Sequence, residues 1–211
     1  MALDREASLV LFGRSSSHFT RVARIFAAEA GLEPVLRVVR DLRSQDPNDY
    51  GGNPALRIPV LETEQGVWFG ALNVSRELVR RAARPVRVVW PEALDTPLLA
   101  NAQELTLQAM ATEVWLIIGK LGGAADDPSR NKAFASLRGM LAWLDRNVAE
   151  VLAGLPAERD VSFLEVALYC LVTHLEFREI VPTSPYPELR KYCEHFARRP
   201  SAERTPYHFD P

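Results

Sequence analysis

The sequence predicts an α/β domain followed by an all-helical one, and three observations carry this. Residues 8–80 mix short β-type runs with helical ones in the order β-α-β, a connecting stretch, then β-β-α. Residues 81–92, RAARPVRVVWPE, hold two prolines and no clear period. Beyond them the apolar residues recur at helical spacing over long stretches. The expected domains are therefore 1–80 and 93–211, joined by a linker at 81–92.

Residues 8–12, SLVLF, form a short apolar strand. Val22, Ile25, Phe26 and Ala30 then recur at helical spacing, and Gly31 can end that helix in the left-handed region. A second strand is expected at 35–39, VLRVV, followed by a charged stretch. Val60 to Glu62 and Val67 to Phe69, joined by a turn around Gln65 and Gly66, read as a hairpin. Residues 73–81 look helical. A strand, a crossover helix and a second strand in one sheet imply parallel pairing, and the hairpin adds antiparallel strands. The expectation is a small mixed sheet with helices on both sides.

In the second half, 98–121 carries an apolar stripe of Leu98, Leu105, Ala109, Thr112 and Leu116. Gly122-Gly123 and Asp126-Asp127-Pro128-Ser129 break it. Residues 132–152 place Phe134, Leu137, Leu141, Leu144, Val148 and Leu152 on one face. The next helix start is explicit: Ser162 can cap the N–H of Glu165, Glu165 can reach back to that of Ser162, and Val161 and Val166 are placed for a hydrophobic staple. A further helix spans 187–198.

Composition sets outer bounds. Of 211 residues 47% are hydrophobic and the formal net charge is −2, which is ordinary for a folded protein and gives no general pull toward nucleic acid or membranes. Two Arg clusters, Arg80-Arg81 with Arg84 and Arg198-Arg199, read as solvated faces. No apolar run approaches the ~18–20 residues that cross a bilayer. The first six residues carry both signs of charge and no apolar signal core, so the expected location is cytoplasmic. Cys170 and Cys193 are not spaced as CxxC and read as free thiols of a reducing compartment. His18, His174, His195 and His208 lack metal spacing, so no metal is expected. GxGxxG, Walker and GxSxG patterns are absent from the sequence.

Four stretches carry a resemblance. They are Arg14-Ser15-Ser16-Ser17-His18-Phe19-Thr20-Arg21-Val22, Asn53-Pro54 with Ile58-Pro59-Val60-Leu61, Ser162-Phe163-Leu164-Glu165, and Tyr186-Pro187-Glu188-Leu189 with Arg199-Pro200-Ser201. In this order they resemble the glutathione transferase family over nearly the whole chain. The resemblance implies a thioredoxin-like N-terminal domain that binds glutathione, and an all-helical C-terminal domain. It implies that Pro59 is cis at the mouth of its strand, turning the backbone of Ile58 toward the cysteinyl part of glutathione. It also implies a homodimer and a small electrophile as second substrate.

Thiol chemistry needs a thiolate, and a free thiol of pKa ~8.5 is only slightly ionised at neutral pH. A helix N-terminus favours the anion, and a hydroxyl there adds a hydrogen bond to sulfur. Counting back from Val22, the family pattern places the catalytic serine at Ser16, with Ser15 and Ser17 as alternates separated by one slip of the turn. Any of the three could equally be a plain helix cap. His18 could help to bind a carboxylate or simply begin the helix. Met110, Glu113, Val114 and Trp115 are expected to wall the second substrate.

One segment departs from the family. After the hairpin, transferases usually carry Glu/Gln-Ser, which holds the γ-glutamyl carboxylate. Here the chain reads Phe69-Gly70-Ala71-Leu72-Asn73-Val74-Ser75, and no register restores the Glu or Gln. Asn73 can take the Ser place in one register. This departure motivates an alternative expectation: a non-catalytic binding or regulatory protein on the same scaffold, with weak or no glutathione binding.

Overall fold

The computed structural model describes residues 9–121 and 127–211, and the expected break at Gly122-Gly123 and Asp126 lies outside them. The described residues form two compact units. One runs up to Val86 and also includes Arg199–Pro211; the other is Arg87–Arg198.

In the first unit the order is β1 (Val10–Gly13), α1 (His18–Glu29), β2 (Val35–Val38), β3 (Val60–Thr63), β4 (Gly66–Phe69) and α2 (Ala71–Arg80). The sheet order is β2-β1-β3-β4, with β1 and β2 parallel and the β1–β3 and β3–β4 pairs antiparallel. Side chains alternate across the sheet. Leu11 and Leu61 therefore share one face and pack with Ala23 and Ala27 of α1 and Val74 and Leu78 of α2. Phe12 and Val60 point the other way and pack with Val39 and Tyr50. Both long helices thus lie on one face. The other is covered by the segment around a 3-10 turn at Pro47–Tyr50, which corrects the expectation of helices on both sides. Gly31 ends α1 as expected: at φ +71° it lets its N–H reach Ala28 O and the Leu32 N–H reach Ala27 O.

The second unit holds α3 (Pro97–Leu121), α4 (Pro128–Gly154), α5 (Phe163–Arg178) and α6 (Pro187–Phe196). It is not purely helical, because β5 (Val88–Val89) pairs in parallel with β6 (Val161–Ser162), drawing the last part of the expected linker into this unit. α4 begins at Pro128, four residues before the expected start at 132. Asp127 caps it through the Ser129 N–H at 2.9 Å, and Pro128 fits the first turn, so the residues read as a breaker are a start signal. α5 is buried almost all round and forms the centre of this unit.

Three arginines of the expected solvated clusters are instead ion-paired, Arg80 with Glu77 among them. Arg81 binds Glu77 at 2.5 Å and Glu64 at 2.6 Å, and these carboxylates raise its pKa. Arg199 binds Glu29 at 3.0 Å, where Ser201 Oγ also donates at 2.5 Å. These bonds begin the return of the last residues, assigned above to the helical domain, to the first unit. There α7 (Pro200–Glu203) packs on α1.

Candidate functional site

Strand register brings three chain segments to one end of the sheet. Phe12 lies opposite Val60, and Val60 opposite Phe69. The end of β1, the mouth of β3 and the end of β4 are therefore neighbours. Each leads directly into a distinct feature: the turn into α1, the Ile58-Pro59 peptide, and the start of α2.

The turn into α1 is tight. A Cβ on Gly13 would sit 2.4 Å from Thr20 Cγ2, so glycine is what allows the strand to pass so close to the helix. Ser17 N–H donates to Arg14 O at 3.1 Å, and Ser17 Oγ accepts from Thr20 N at 3.3 Å. Ser17 is thus the N-cap. Ser15 and Ser16 precede it and are 2% and 7% exposed. His18 is the first residue of α1 and is buried, its ring edge-on to Phe19 at 4.5 Å.

The loop before β3 is organised by Asn53, which is buried. Its amide donates to Arg57 O at 2.7 Å and accepts from Ala55 N at 3.0 Å, while Leu56 N–H donates to Asn53 O at 3.0 Å. The loop delivers a cis Ile58-Pro59 bond, as expected. Pro59 O accepts from Gly70 N at 3.0 Å, tying the strand mouth to the start of α2. No described residue hydrogen-bonds to the N–H or C=O of Ile58, so this peptide offers one donor and one acceptor.

The start of α2 carries no side-chain cap. Its N-cap is Gly70, at φ 82°. Asn73 sits in the first turn, exposed, and its amide donates to Phe69 O at 3.2 Å. The first-turn N–H groups of α2 therefore stand open, a ready seat for a carboxylate.

The four α3 residues are placed differently from one another. Met110 is buried. Glu113 is fully buried and its Oε1 lies 2.7 Å from Nδ1 of His174 on α5. Val114 is half-buried, and Trp115 is 46% exposed.

One group at the sheet end was missed by sequence reasoning. Asp210, 6% exposed at its side chain, accepts a 2.8 Å hydrogen bond from the Ser15 N–H. The two residues are 195 positions apart, and nothing in the local pattern of Tyr207-His208-Phe209-Asp210 announces the contact. The segment that brings it runs beside α1. Arg21 donates to Ala202 O at 3.4 Å and lies 4.3 Å from the centre of the Tyr207 ring. Arg40 donates to Pro211 O. Burial, and then the adjacent Arg21 charge, lower the pKa of Arg24, while Asp210 opposes that shift.

A mixed four-stranded sheet with a cis-proline strand mouth beside two helix starts, followed by a helical unit, is the fold of the glutathione S-transferases. Solved structures agree over nearly the whole chain. A glutathione S-transferase from Methylobacillus flagellatus KT, with glutathione bound, matches with a TM-score of 0.74 at 18% identity, covering 95% of this chain and 100% of that one. A glutathione transferase family member from Pseudomonas fluorescens Pf-5, also with glutathione bound, gives 0.73 at 20% identity, covering 95% and 100%. A glutathione S-transferase from Methylobacterium radiotolerans JCM 2831, in complex with glutathione sulfonate, gives 0.72 at 18%, covering 97% of each. No protein-family model matches the sequence, and no curated protein is significantly similar to it. Among the described residues, no helix is long and apolar enough to cross a membrane.

Proposed function

We propose that this protein is a glutathione transferase-like enzyme that stabilises the glutathione thiolate at the start of α1 for attack on a small electrophile. The observation that carries the reading is the convergence at one sheet end of a serine-rich helix start, the unpaired Ile58 peptide and the open start of α2. The three features match three parts of one tripeptide. The Ile58 N–H and C=O pair with the cysteinyl residue as a short strand would. The first-turn N–H groups of α2, with Asn73 beside them, receive the γ-glutamyl carboxylate. The cysteinyl sulfur then falls at the turn into α1.

There a hydroxyl donates to sulfur. Ser17 already serves as N-cap, so the role falls to Ser16, with Ser15 as the alternate. His18, buried at the first position of α1, remains a candidate contact for the tripeptide. The helix N-terminus and the hydroxyl lower the thiol pKa toward neutrality, the proton passes to water, and the thiolate attacks the electrophilic carbon to form a thioether as the leaving group, chloride for a chloronitrobenzene, departs. Met110, Glu113, Val114 and Trp115 are assigned to the second substrate, with the exposed ring of Trp115 the first candidate among them. The homodimer follows from the same family reading.

Calorimetric titration with glutathione, then conjugation of a chloronitrobenzene, tests the proposal. Ser16→Ala should lower kcat/KM about 100-fold, the scale of losing one donor to a developing anion, while glutathione still binds. No heat at millimolar glutathione ends the reading. It would favour the second one, a non-catalytic binding protein on this scaffold, for which the side-chain-free Gly70 cap is the specific observation.

A further inference from the structure

We propose that the segment after α7 is an autoinhibitory strap, whose Asp210 carboxylate occupies the turn into α1 and must leave before an anionic sulfur can bind there. The inference rests on the glutathione reading and adds a regulatory step to the same site.

Position is the first argument. The Asp210 carboxylate is almost wholly buried although its neighbours are not: Pro206, His208, Phe209 and Pro211 are all exposed. From between exposed neighbours this segment thus sends one charged group inward. That group lands on the N–H of Ser15, the residue next to the proposed sulfur donor.

Charge is the second. The start of α1 attracts negative charge through its partial positive charge. The Asp210 carboxylate, held on the Ser15 N–H in the turn just before the helix, already meets part of that attraction, and a second anion beside it is disfavoured, as for any two like charges sharing a site. Arg21 and Arg24 flank the same region, and Asp210 acts on Arg24 as counter-charge. Removing the carboxylate leaves these cations and the Ser15 N–H for another anion.

Attachment is the third. Thr205 Oγ1 donates back to Ser201 O at 2.9 Å, closing α7. α7 itself is held by Arg199 and Ser201 on Glu29. The strap beyond Thr205 can therefore lift without undoing α7. Its own holds are the Asp210 bond, the Arg21–Tyr207 stack and the Arg40 bond to Pro211 O. A thiolate or sulfonate displaces the carboxylate, whereas a neutral thioether sulfur has no reason to.

The test compares the full chain with Asp210→Ala and with a chain stopped after Thr205. Glutathione sulfonate and S-methylglutathione are titrated into each by calorimetry. If the strap is open ~10% of the time, both variants bind glutathione sulfonate about tenfold more tightly than the full chain. S-methylglutathione should change less than about twofold, because its affinity does not depend on the charge at the helix start. Equal or weaker sulfonate binding in both variants overturns the strap. If none of the three proteins binds either glutathione derivative, the functional reading fails, and inorganic sulfate then reads the strap by itself. In amide NMR spectra sulfate should shift the Ser15 signal in the shortened chain but not in the full one. The same response in both, or none in either, overturns the inference.

Discussion

The starts of α5 and α2 show two ways to treat the unpaired N–H groups of a helix. α5 is closed by the chain itself. Ser162 Oγ accepts from Glu165 N at 3.0 Å. The Glu165 carboxylate, expected to reach back to Ser162, binds Arg159 at 2.8 and 2.9 Å instead. An arginine with two parallel donors is a stronger partner for a carboxylate than a single backbone N–H. α2 has a glycine at its cap and no side chain across its N–H groups. A closed start stabilises the fold; an open one forgoes that stability and leaves a seat for a ligand. α1 stands between the two, capped by Ser17 yet with the Asp210 carboxylate on the turn just before it.

The largest expected effect separates structure from ligand binding inside the helical unit. Glu113 was expected to contact substrate, yet it is buried against His174. If the pair is structural, His174→Ala should cost about 3–5 kcal/mol, because a buried carboxylate loses this hydrogen-bonded ring. Urea unfolding measures this. A near-normal midpoint with an altered KM for the electrophile would put Glu113 on the ligand side.

Asn53→Ala comes next. Two side-chain hydrogen bonds within its loop disappear, at an expected cost of about 1–3 kcal/mol. Since that loop presents Ile58, glutathione affinity should fall as well. A loss of stability with no change in affinity would detach the Ile58 peptide from the ligand. Ser162→Ala supplies the contrast from the closed helix start: about 1–2 kcal/mol of stability should go, and glutathione titration should be unchanged.

Legibility followed the range of the interactions. The β-α-β and β-β-α order, Gly31 at the end of α1 and the Ser162 cap all rest on residues close in sequence, and local pattern shows them. The two sheet faces were misread because Leu11 and Phe12 are adjacent apolar residues, and a continuous apolar run does not say which face takes the helices. At the site, the cis Ile58-Pro59 bond came through the family resemblance, and so did the choice of serines. The cap at Ser17 needed coordinates, since three consecutive serines are equivalent to any rule of spacing. Asp210 was invisible because its partner lies at the opposite end of the sequence and a single acidic residue has no period.

The smallest expected effect tests the central contrast by separating stability from binding at α2. Asn73 lies in the first helical turn, exposed, and donates to Phe69 O. Asn73→Asp places a negative charge against the positive end of the helix, which favours the fold by about 0.3–1 kcal/mol, less the lost exposed hydrogen bond. The same charge repels an incoming carboxylate. At ~4 Å in a solvated setting that repulsion is about 1 kcal/mol, or roughly fivefold in affinity. Thermal unfolding should therefore rise slightly or stay level while the dissociation constant for glutathione increases about fivefold, and added salt should shrink the difference. An open helix start kept for a ligand requires these opposite signs. Were both quantities to stay unchanged, Gly70 would mark nothing more than a poorly capped helix, and the γ-glutamyl carboxylate would have to bind elsewhere.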